Sequence, residues 1–220
     1  MITIEAFYHD LVITVPLFIW VIFVVKYFSR WVYDLAVKKG YPPDSATYFG
    51  RKTIHIFASG LIALSLPFLF KEPFLPFLSA LILAIYTYLP HKKGQLYEWF
   101  QKKENIYEVN FCLMWGLVIL AGWFFDKTFW LGVIPALFMS FGDGVTGIVR
   151  NIKYKKRTKA WEGSLAMFIV CALIAGLKMG LAGIIAALVA TIFEKLEFID
   201  DNISVPAISF IVLAIFFYLK

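Results

Sequence analysis

Apolar runs of nearly bilayer length follow one another along this chain, and charged residues gather in the short stretches between them. A helix needs about 20 predominantly apolar residues to cross the hydrocarbon layer of a membrane. The apolar windows lie at residues 11–28, 53–70, 73–90, 108–125, 129–149, 164–178, 180–194 and 205–219. The sequence therefore predicts an all-α, polytopic integral membrane bundle of about eight transmembrane helices, with residues 1–220 as a single transmembrane domain.

Composition excludes a soluble catalytic domain beside these spans. Of the 220 residues, 61% are hydrophobic and only 16% are charged, whereas about a quarter of the residues in soluble domains are charged. Eight spans would use about 160 residues and leave about 60 for loops. Any chemistry must therefore be built from helix ends and short loops at the membrane surface.

The basic residues predict an orientation, because Lys and Arg in short loops stay on the cytoplasmic side of a membrane. All but four of the 21 basic residues fall in or beside the loops after the first, third, fifth and seventh predicted spans. The four exceptions are Lys71, Lys127, Lys178 and Lys220. We therefore expect these four loops, and with them the active site, to face the cytoplasm, and both termini to lie on the other side.

Two cytoplasmic stretches have the pattern of helices lying at the membrane surface. Residues 30–39 and 96–103 separate apolar from basic side chains at helical spacing. Both stretches could instead continue the neighbouring spans.

Asp143 lies near the cytoplasmic end of the predicted fifth span, where an isolated carboxylate is costly and a functional role is the default interpretation. The flanking Gly142, Gly144 and Gly147 would let the helix break and the backbone approach a ligand, as in phosphate-binding turns. The alternative is a helix-end carboxylate that reaches water. We expect a site at Asp143, with Gly142 and Gly144 close to a bound phosphate.

The stretch after Asp143 is strongly basic. Six Lys and Arg residues lie within residues 150–159, among them Lys153, Lys156 and Lys159. Such charges could serve topology or anionic lipid alone, but as a group beside Asp143 they favour a polyphosphate site. Glu162, a lone acid at the mouth of the next span, is assigned to the same site.

The last predicted cytoplasmic loop is acidic, against the usual bias of such loops towards cations. Its acidic and amide residues are Glu194, Glu197, Asp200, Asp201 and Asn202, with Lys195 opposing them. Mg²⁺ is usually held by one or two carboxylates together with the phosphates of a nucleotide. The loop therefore predicts a divalent metal site, with a plain acidic turn as the alternative.

A third basic group lies at the cytoplasmic start of the second span. Arg51, Lys52 and His55 fall on one helical face. A lone His at a helix entrance is more often structural than catalytic, but with two cations beside it this face could clamp an anion. Together, these groups favour phosphoryl or nucleotidyl transfer to a lipid that enters between the helices.

Four short motifs occur here in the order seen in the polyprenol kinase family, which includes dolichol, phytol and farnesol kinases. They are Arg51-Lys-x-x-His55, Gly142-Asp143 with its glycine-rich continuation, Lys159-x-Trp-Glu162-Gly163-Ser164 and Asp200-Asp201-Asn202-x-x-x-Pro206. The resemblance covers about residues 50–208, the expected catalytic region. The chain departs from the family pattern in lacking a second glycine motif after Gly147.

The resemblance implies CTP as phosphoryl donor, Mg²⁺ as metal and a long-chain isoprenoid alcohol as acceptor, with the lipid bilayer as environment and no nucleic acid among the partners. The residues themselves already predict a divalent cation between Asp143 and the Asp200/Asp201 loop, so that Mg²⁺ would be held by Asp143 and by Asp200 or Asp201. The phosphates would be neutralised by Arg51, Lys52, Lys153, Lys156 and Lys159. One of Asp143, Asp201 and His55 would accept the hydroxyl proton, and Asn202 would orient a metal water or the cytosine ring.

Two rival functions remain open. The Asp143 and Lys159–Gly163 blocks are also similar to phosphatidate cytidylyltransferases, which make CDP-lipids from CTP, although the Asp-Asp-Asn ending favours the kinases. A transporter would place its ionisable groups near the midplane, whereas those of this sequence gather at one face.

Overall fold

The computed structural model describes residues 4–156, 158–196 and 199–219, and it has no strand among them. Among these residues, seven helices are long and apolar enough to cross a membrane. They are α1 (Ile4–Lys38), α2 (Pro43–Leu69), α3 (Phe74–Lys93), α4 (Tyr107–Phe125), α5 (Trp130–Tyr154), α6 (Trp161–Lys195) and α7 (Asp201–Tyr218). The prediction of an all-α bundle of helices long and apolar enough to cross a membrane is confirmed for this part of the chain.

Helix α6 folds back on itself at Gly180. This residue has φ 58° and ψ −135°, a conformation that glycine adopts without the strain imposed by a Cβ. The two arms then run side by side, since a Cβ on Gly183 would collide with the carbonyl of Ala175. The predicted spans 164–178 and 180–194 correspond to these two arms, which form one continuous element of the seven.

The two predicted surface helices are not separate elements in the structure. Residues 30–38 continue α1, which was the alternative interpretation. Residues 94–106 form turns and irregular backbone, so a surface helix at 96–103 is wrong. The reason is packing: Phe100 is buried, and Trp99 Nε1 donates to the carbonyl of Val25 at 2.9 Å, which ties the loop to α1.

Helix α5 is the centre of the bundle. Its segment from Leu131 to Met139 is buried throughout. Glycines allow close contact with α4, because a Cβ on Gly132 would collide with the backbone of Val118. Close approach at small residues is a common way for membrane helices to pack.

Two helices widen to π-helical geometry where they face each other next to the predicted site. The π segments are Ile54–Gly60 in α2 and Phe138–Gly142 in α5. A hydrogen bond between the hydroxyl groups of Ser59 and Ser140 joins them. Such local widening is frequent at functional sites, and here it directly adjoins His55 and Asp143.

Helix α1 is attached to the bundle at separate points. The Asp10 carboxylate accepts hydrogen bonds from the backbone N–H groups of Lys71 and Glu72 at 3.0 and 2.9 Å. Further along, Trp20 Nε1 donates to the carbonyl of Phe57 at 2.9 Å. Between α1 and helices α2, α3 and α4 lies a cavity of about 410 Å³.

Candidate active site

A buried ion pair between α2 and α5 forms the centre of the candidate site. Lys52 Nζ donates to Asp143 Oδ2 at 2.6 Å, and both residues are almost completely buried. His55 Nδ1 lies 3.2 Å from the same oxygen, and the His55 ring packs on Phe111. Gly147 makes room for this arrangement, because a Cβ there would collide with the Lys52 side chain. The sequence-predicted residues Lys52, His55 and Asp143 are therefore in direct contact.

The start of α7 supplies a second part of the site. Asp200 is the N-cap residue, and its Oδ1 accepts hydrogen bonds from the backbone N–H and the side-chain amide of Asn202 at 3.0 and 2.8 Å. Its other oxygen accepts from Asn110 Nδ2 at 2.7 Å. Asp200 therefore holds the helix end, while Asp201 and Asn202 face the cavity.

A buried Arg–Glu pair joins α5 to the end of α6. Arg150 NH1 and NH2 donate to Glu194 Oε1 and Oε2 at 2.7 and 3.1 Å, and neither side chain is more than 2% exposed. Arg150 also donates to the carbonyl of Ala160 and to Ser164 Oγ at 2.9 Å each. This arrangement satisfies both charges and fixes the two arms of α6 beside α5.

Lys159, between α5 and α6, connects this pair to α7. Its Nζ donates to Glu194 Oε1 at 2.7 Å and lies 3.4 Å from Asp201 Oδ2. Burial disfavours the charged form of Lys159, but the carboxylates of Asp201 and Glu194 outweigh burial and raise its pKa above the usual value. Lys159 is therefore a cation of the site at neutral pH.

Three acidic side chains converge on one point, and we call them the carboxylate cluster: Asp143, Glu194 and Asp201. One oxygen of each lies within 4.8 Å of one oxygen of the others. The structure thus brings Asp143 and Asp201 together, as the sequence predicted, and adds Glu194, whereas Asp200 lies outside the cluster. Three cations of the described residues, Lys52, Arg150 and Lys159, balance the three carboxylates.

The oxygens of the cluster differ in whether they are already bonded. Both oxygens of Glu194 accept from Arg150, and one of them also accepts from Lys159. Asp143 Oδ1, by contrast, is buried without a hydrogen-bond partner, and so is the side-chain oxygen of Asn202. A buried oxygen without a donor costs free energy unless a ligand completes it. Asp143 therefore has one oxygen held by Lys52 and one free to bind.

The glycines beside Asp143 have a packing role. A Cβ on Gly142 would collide with Cys171 Sγ of α6, and one on Gly144 would lie 2.8 Å from Ile56 of α2. The chain remains helical from the π segment through Asp143 to Tyr154. The phosphate-binding turn predicted at Gly142 and Gly144 is therefore not formed, because these backbone N–H groups serve the helix.

Arg51 is positioned by the loop between α3 and α4. Its Nε donates to the carbonyl of Phe100 at 2.6 Å and its NH2 to Asn105 Oδ1 at 3.0 Å. Glu108 Oε2 lies 3.7 Å from Arg51 NH2, and Glu108 Oε1 accepts a hydrogen bond from His91 Nε2 at 2.6 Å. Arg51 lines the cavity from this fixed position.

The remaining predicted residues lie at different distances from the cavity. Lys156 lines its mouth, together with Lys155 and Lys102. Lys153 and Glu162 bind each other and do not line the cavity, and Tyr154 OH donates to Glu162 at 2.9 Å. Arg157 of the basic loop and Glu197 of the acidic loop lie outside the described residues.

Sequence reasoning missed the pairing of Arg150 with Glu194. The signal for it was present, since a basic stretch and an acidic stretch were expected on the same side of the membrane. It also missed Glu108, which lines the cavity beside Arg51. Neither pairing can be derived from spacing, because the partners are brought together only by the packing of α2 beside α4 and of α5 beside α6.

We expect the Glu194→Gln variant to be strongly destabilised. The substitution leaves the buried Arg150 without a counter-charge, and breaking a buried pair in this way costs about 3–5 kcal/mol. The matched control is Glu162→Gln. Glu162 pairs with the half-exposed Lys153, and the loss of such an exposed pair changes the free energy of unfolding only slightly. Thermal unfolding of the purified protein in detergent measures both. Equal unfolding temperatures for the two variants would contradict a structural role for Glu194.

No protein-family model matches the chain, and the comparisons with curated proteins and with solved structures find no match. The resemblance to polyprenol kinases therefore rests on the four sequence motifs, and a function has to be inferred from the site itself.

Proposed function

We propose that this protein is a membrane-embedded, Mg²⁺-dependent kinase that transfers the γ-phosphoryl group of CTP to the hydroxyl of an isoprenoid alcohol. One observation carries the proposal: the cavity joins a charged end to an apolar interior. Lys52, His55, Asp201 and Asn202 line one end, and apolar side chains of α1, α3 and α4 line the rest. This shape suits a substrate with one polar head and one apolar tail.

The donor atoms of the site fit Mg²⁺, which prefers oxygen ligands and is usually held by one or two carboxylates plus phosphate. Asp143 and Asp201 would hold the ion, with Asn202 beside them, since the oxygens of Glu194 are already bonded. When bound, Mg²⁺ would supply neutralisation of charge on the donor phosphates. Because the cluster is already neutral as a whole, we expect the ion to bind together with the nucleotide.

The reaction forms a bond between the alcohol oxygen and the γ-phosphorus of CTP, while the bond from that phosphorus to the β–γ bridging oxygen breaks and CDP leaves. His55 is the proposed general base: its Nδ1 faces Asp143, so Nε2 can accept the hydroxyl proton. Lys156 and Lys155 at the cavity mouth, and Lys52 deeper in, would neutralise phosphate oxygens.

The size of the cavity favours the kinase over a cytidylyltransferase acting on phosphatidate. Its volume of about 410 Å³ lies near the lower end of the range for small-molecule sites, about 300–1,000 Å³. One hydrocarbon chain suits this volume better than the two acyl chains of phosphatidate. An apolar interior beside a single charged end also suits an enzyme better than a transporter, which needs a path across the bundle.

We further propose eight membrane crossings, with α6 crossing twice and the site facing the cytoplasm. The first arm of α6 starts beside Lys159, at the site. Its turn at Gly180 lies at the other end of the bundle, where Lys178 sits 4.2 Å over the ring of Trp130 at the start of α5. The second arm returns to Glu194, and the basic residues gather at this end.

Labelled CTP distinguishes the two enzyme functions. With purified protein and geranylgeraniol, we expect phosphate from γ-labelled CTP to appear in the lipid, and no lipid label from α-labelled CTP. Asp143→Asn should lower the rate about 100-fold or more, because a charged group of the reaction centre is lost. Asp126→Asn, a substitution in an exposed turn remote from the site, should leave the rate unchanged. Label transfer from α-labelled CTP would instead support cytidylyl transfer.

Neighbouring residues of α7 test the metal assignment. We expect Mg²⁺ and CTP together to stabilise the protein by more than the sum of their separate effects. At a concentration of the Mg²⁺–CTP complex of 100 times its Kd, the total gain in the free energy of unfolding should be about 2.7 kcal/mol. Asp201→Asn should abolish this gain, whereas Asp200→Asn should lower the stability of the unliganded protein and keep the gain. The readout is thermal unfolding in detergent. Loss of the gain in Asp200→Asn alone would overturn the assignment.

Cysteine labelling tests the proposed topology. In a variant in which Cys112 and Cys171 are replaced by Ser, we introduce Lys178→Cys or Lys93→Cys. A membrane-impermeant maleimide should label the first in intact cells, because the α6 turn faces outward, and the second only after permeabilisation. Labelling of Lys178→Cys only after permeabilisation would contradict eight crossings.

A further inference from the structure

The cavity has a definite length. Its lining residues run from Thr14 to Val25 on α1 and from Pro76 to Thr87 on α3. At about 1.5 Å per residue, both stretches measure about 16 Å. The lining of α2 is longer, from Asp44 to Ile62, because it includes the charged end with Lys52 and His55. The stretches on α1 and α3 give a depth of about half the hydrocarbon thickness of a bilayer, which is about 30 Å.

The end of the cavity far from the site is covered by packed side chains. Phe70, Ala80 and Trp115 line this end and belong to the hydrophobic core of the bundle. Each of the three is at most 9% exposed. Phe70 follows the last residue of α2, has extended backbone and lines the cavity. A tail that enters from the charged end therefore meets a floor.

We propose that this floor limits the chain length of the alcohol, so that the enzyme acts on alcohols of about three to four isoprene units. This inference rests on the proposed kinase function. One isoprene unit adds four main-chain carbons, or about 4–5 Å when scaled from the reach of an extended peptide. Three to four units therefore fill about 16 Å. A polyprenol of ten or more units exceeds both the cavity and the bilayer.

Ser79 is the position that controls this length on α3. It lines the far half of the cavity, and a larger side chain there shortens the space for the tail. Its neighbour Leu78 is half exposed and does not line the cavity. The substitutions Ser79→Phe and Leu78→Phe thus add the same ring at adjacent positions, with only the first reaching the substrate space.

A substitution at Phe70 should change the length of the cavity in the opposite direction. Phe70→Ala removes the ring from the floor and lengthens the cavity. Phe68→Ala is the matched control, because Phe68 is exposed on the outer face of α2 and does not line the cavity. Ser79→Phe and Phe70→Ala should shift the preferred chain length of the alcohol in opposite directions. General destabilisation of the protein cannot produce both shifts.

The experiment measures kcat/KM with γ-labelled CTP for alcohols of two, three, four and ten isoprene units. For the unsubstituted protein, we expect the maximum at three to four units and a value at least tenfold lower at ten. Ser79→Phe should move the maximum towards two units, and Phe70→Ala should raise the ten-unit value at least fivefold relative to the three-unit value. Both control variants should keep the original profile. Equal values for all lengths would overturn the inference, since the tail would then leave sideways between helices.

A second measurement separates this inference from the proposed function. A photoreactive geranylgeraniol analogue, added without nucleotide, should crosslink to the peptide that contains Ser79, and farnesol should compete with it. Crosslinking without any transfer of label from CTP would reject the kinase and retain a length-limited alcohol site. Transfer of label to all alcohols without crosslinking at this peptide would retain the kinase and reject the floor.

Discussion

Charge buried inside an apolar bundle is the constraint on which the rest of this structure depends. An isolated ion in such an interior costs several kcal/mol, so that buried cations and carboxylates persist only as close pairs. The Lys52–Asp143 pair joins α2 to α5, and the Arg150–Glu194 pair joins α5 to the returning arm of α6. Each pair connects segments far apart in the chain. The position of α5 relative to both neighbours therefore follows from charge neutralisation as much as from apolar packing.

The same pairing determines which atoms of the site remain without a hydrogen-bond partner. Glu194 is fully engaged by two cations and acts as a structural anion, whereas Asp143 uses one oxygen for Lys52 and keeps the other without a partner. An acidic cluster in which every oxygen was bonded would be stable but inert. The unpaired oxygen of Asp143 is the part of the cluster whose desolvation cost only a ligand can offset.

Hydrophobic run lengths were sufficient to predict the helices, because crossing a bilayer requires a fixed number of apolar residues. The distribution of basic and acidic residues predicted that Lys52, His55, Asp143 and Asp201 lie together at one face, and these side chains do lie close together. These sequence patterns failed where the outcome depends on tertiary contacts. The glycines around Asp143 had the composition of a phosphate-binding turn, but α2 and α6 pack closely enough to require them. Likewise, Asp200 and Asp201 are adjacent residues of the same type in the sequence. Only the structure shows that Asp200 caps α7 whereas Asp201 faces the cavity.

Helix α1 shows how a helical bundle keeps an internal cavity. Its hydrogen bonds to other elements include those of the Asp10 carboxylate at one end, of Trp20 in the middle and of Trp99 of the neighbouring loop at the other. Between these points its inner face lines the cavity. Close packing along the whole helix would fill that space and would add dispersion energy. A helix held by spaced hydrogen bonds gives up part of that energy, and in return an apolar tail can lie beside the charged end where the reaction is proposed to occur.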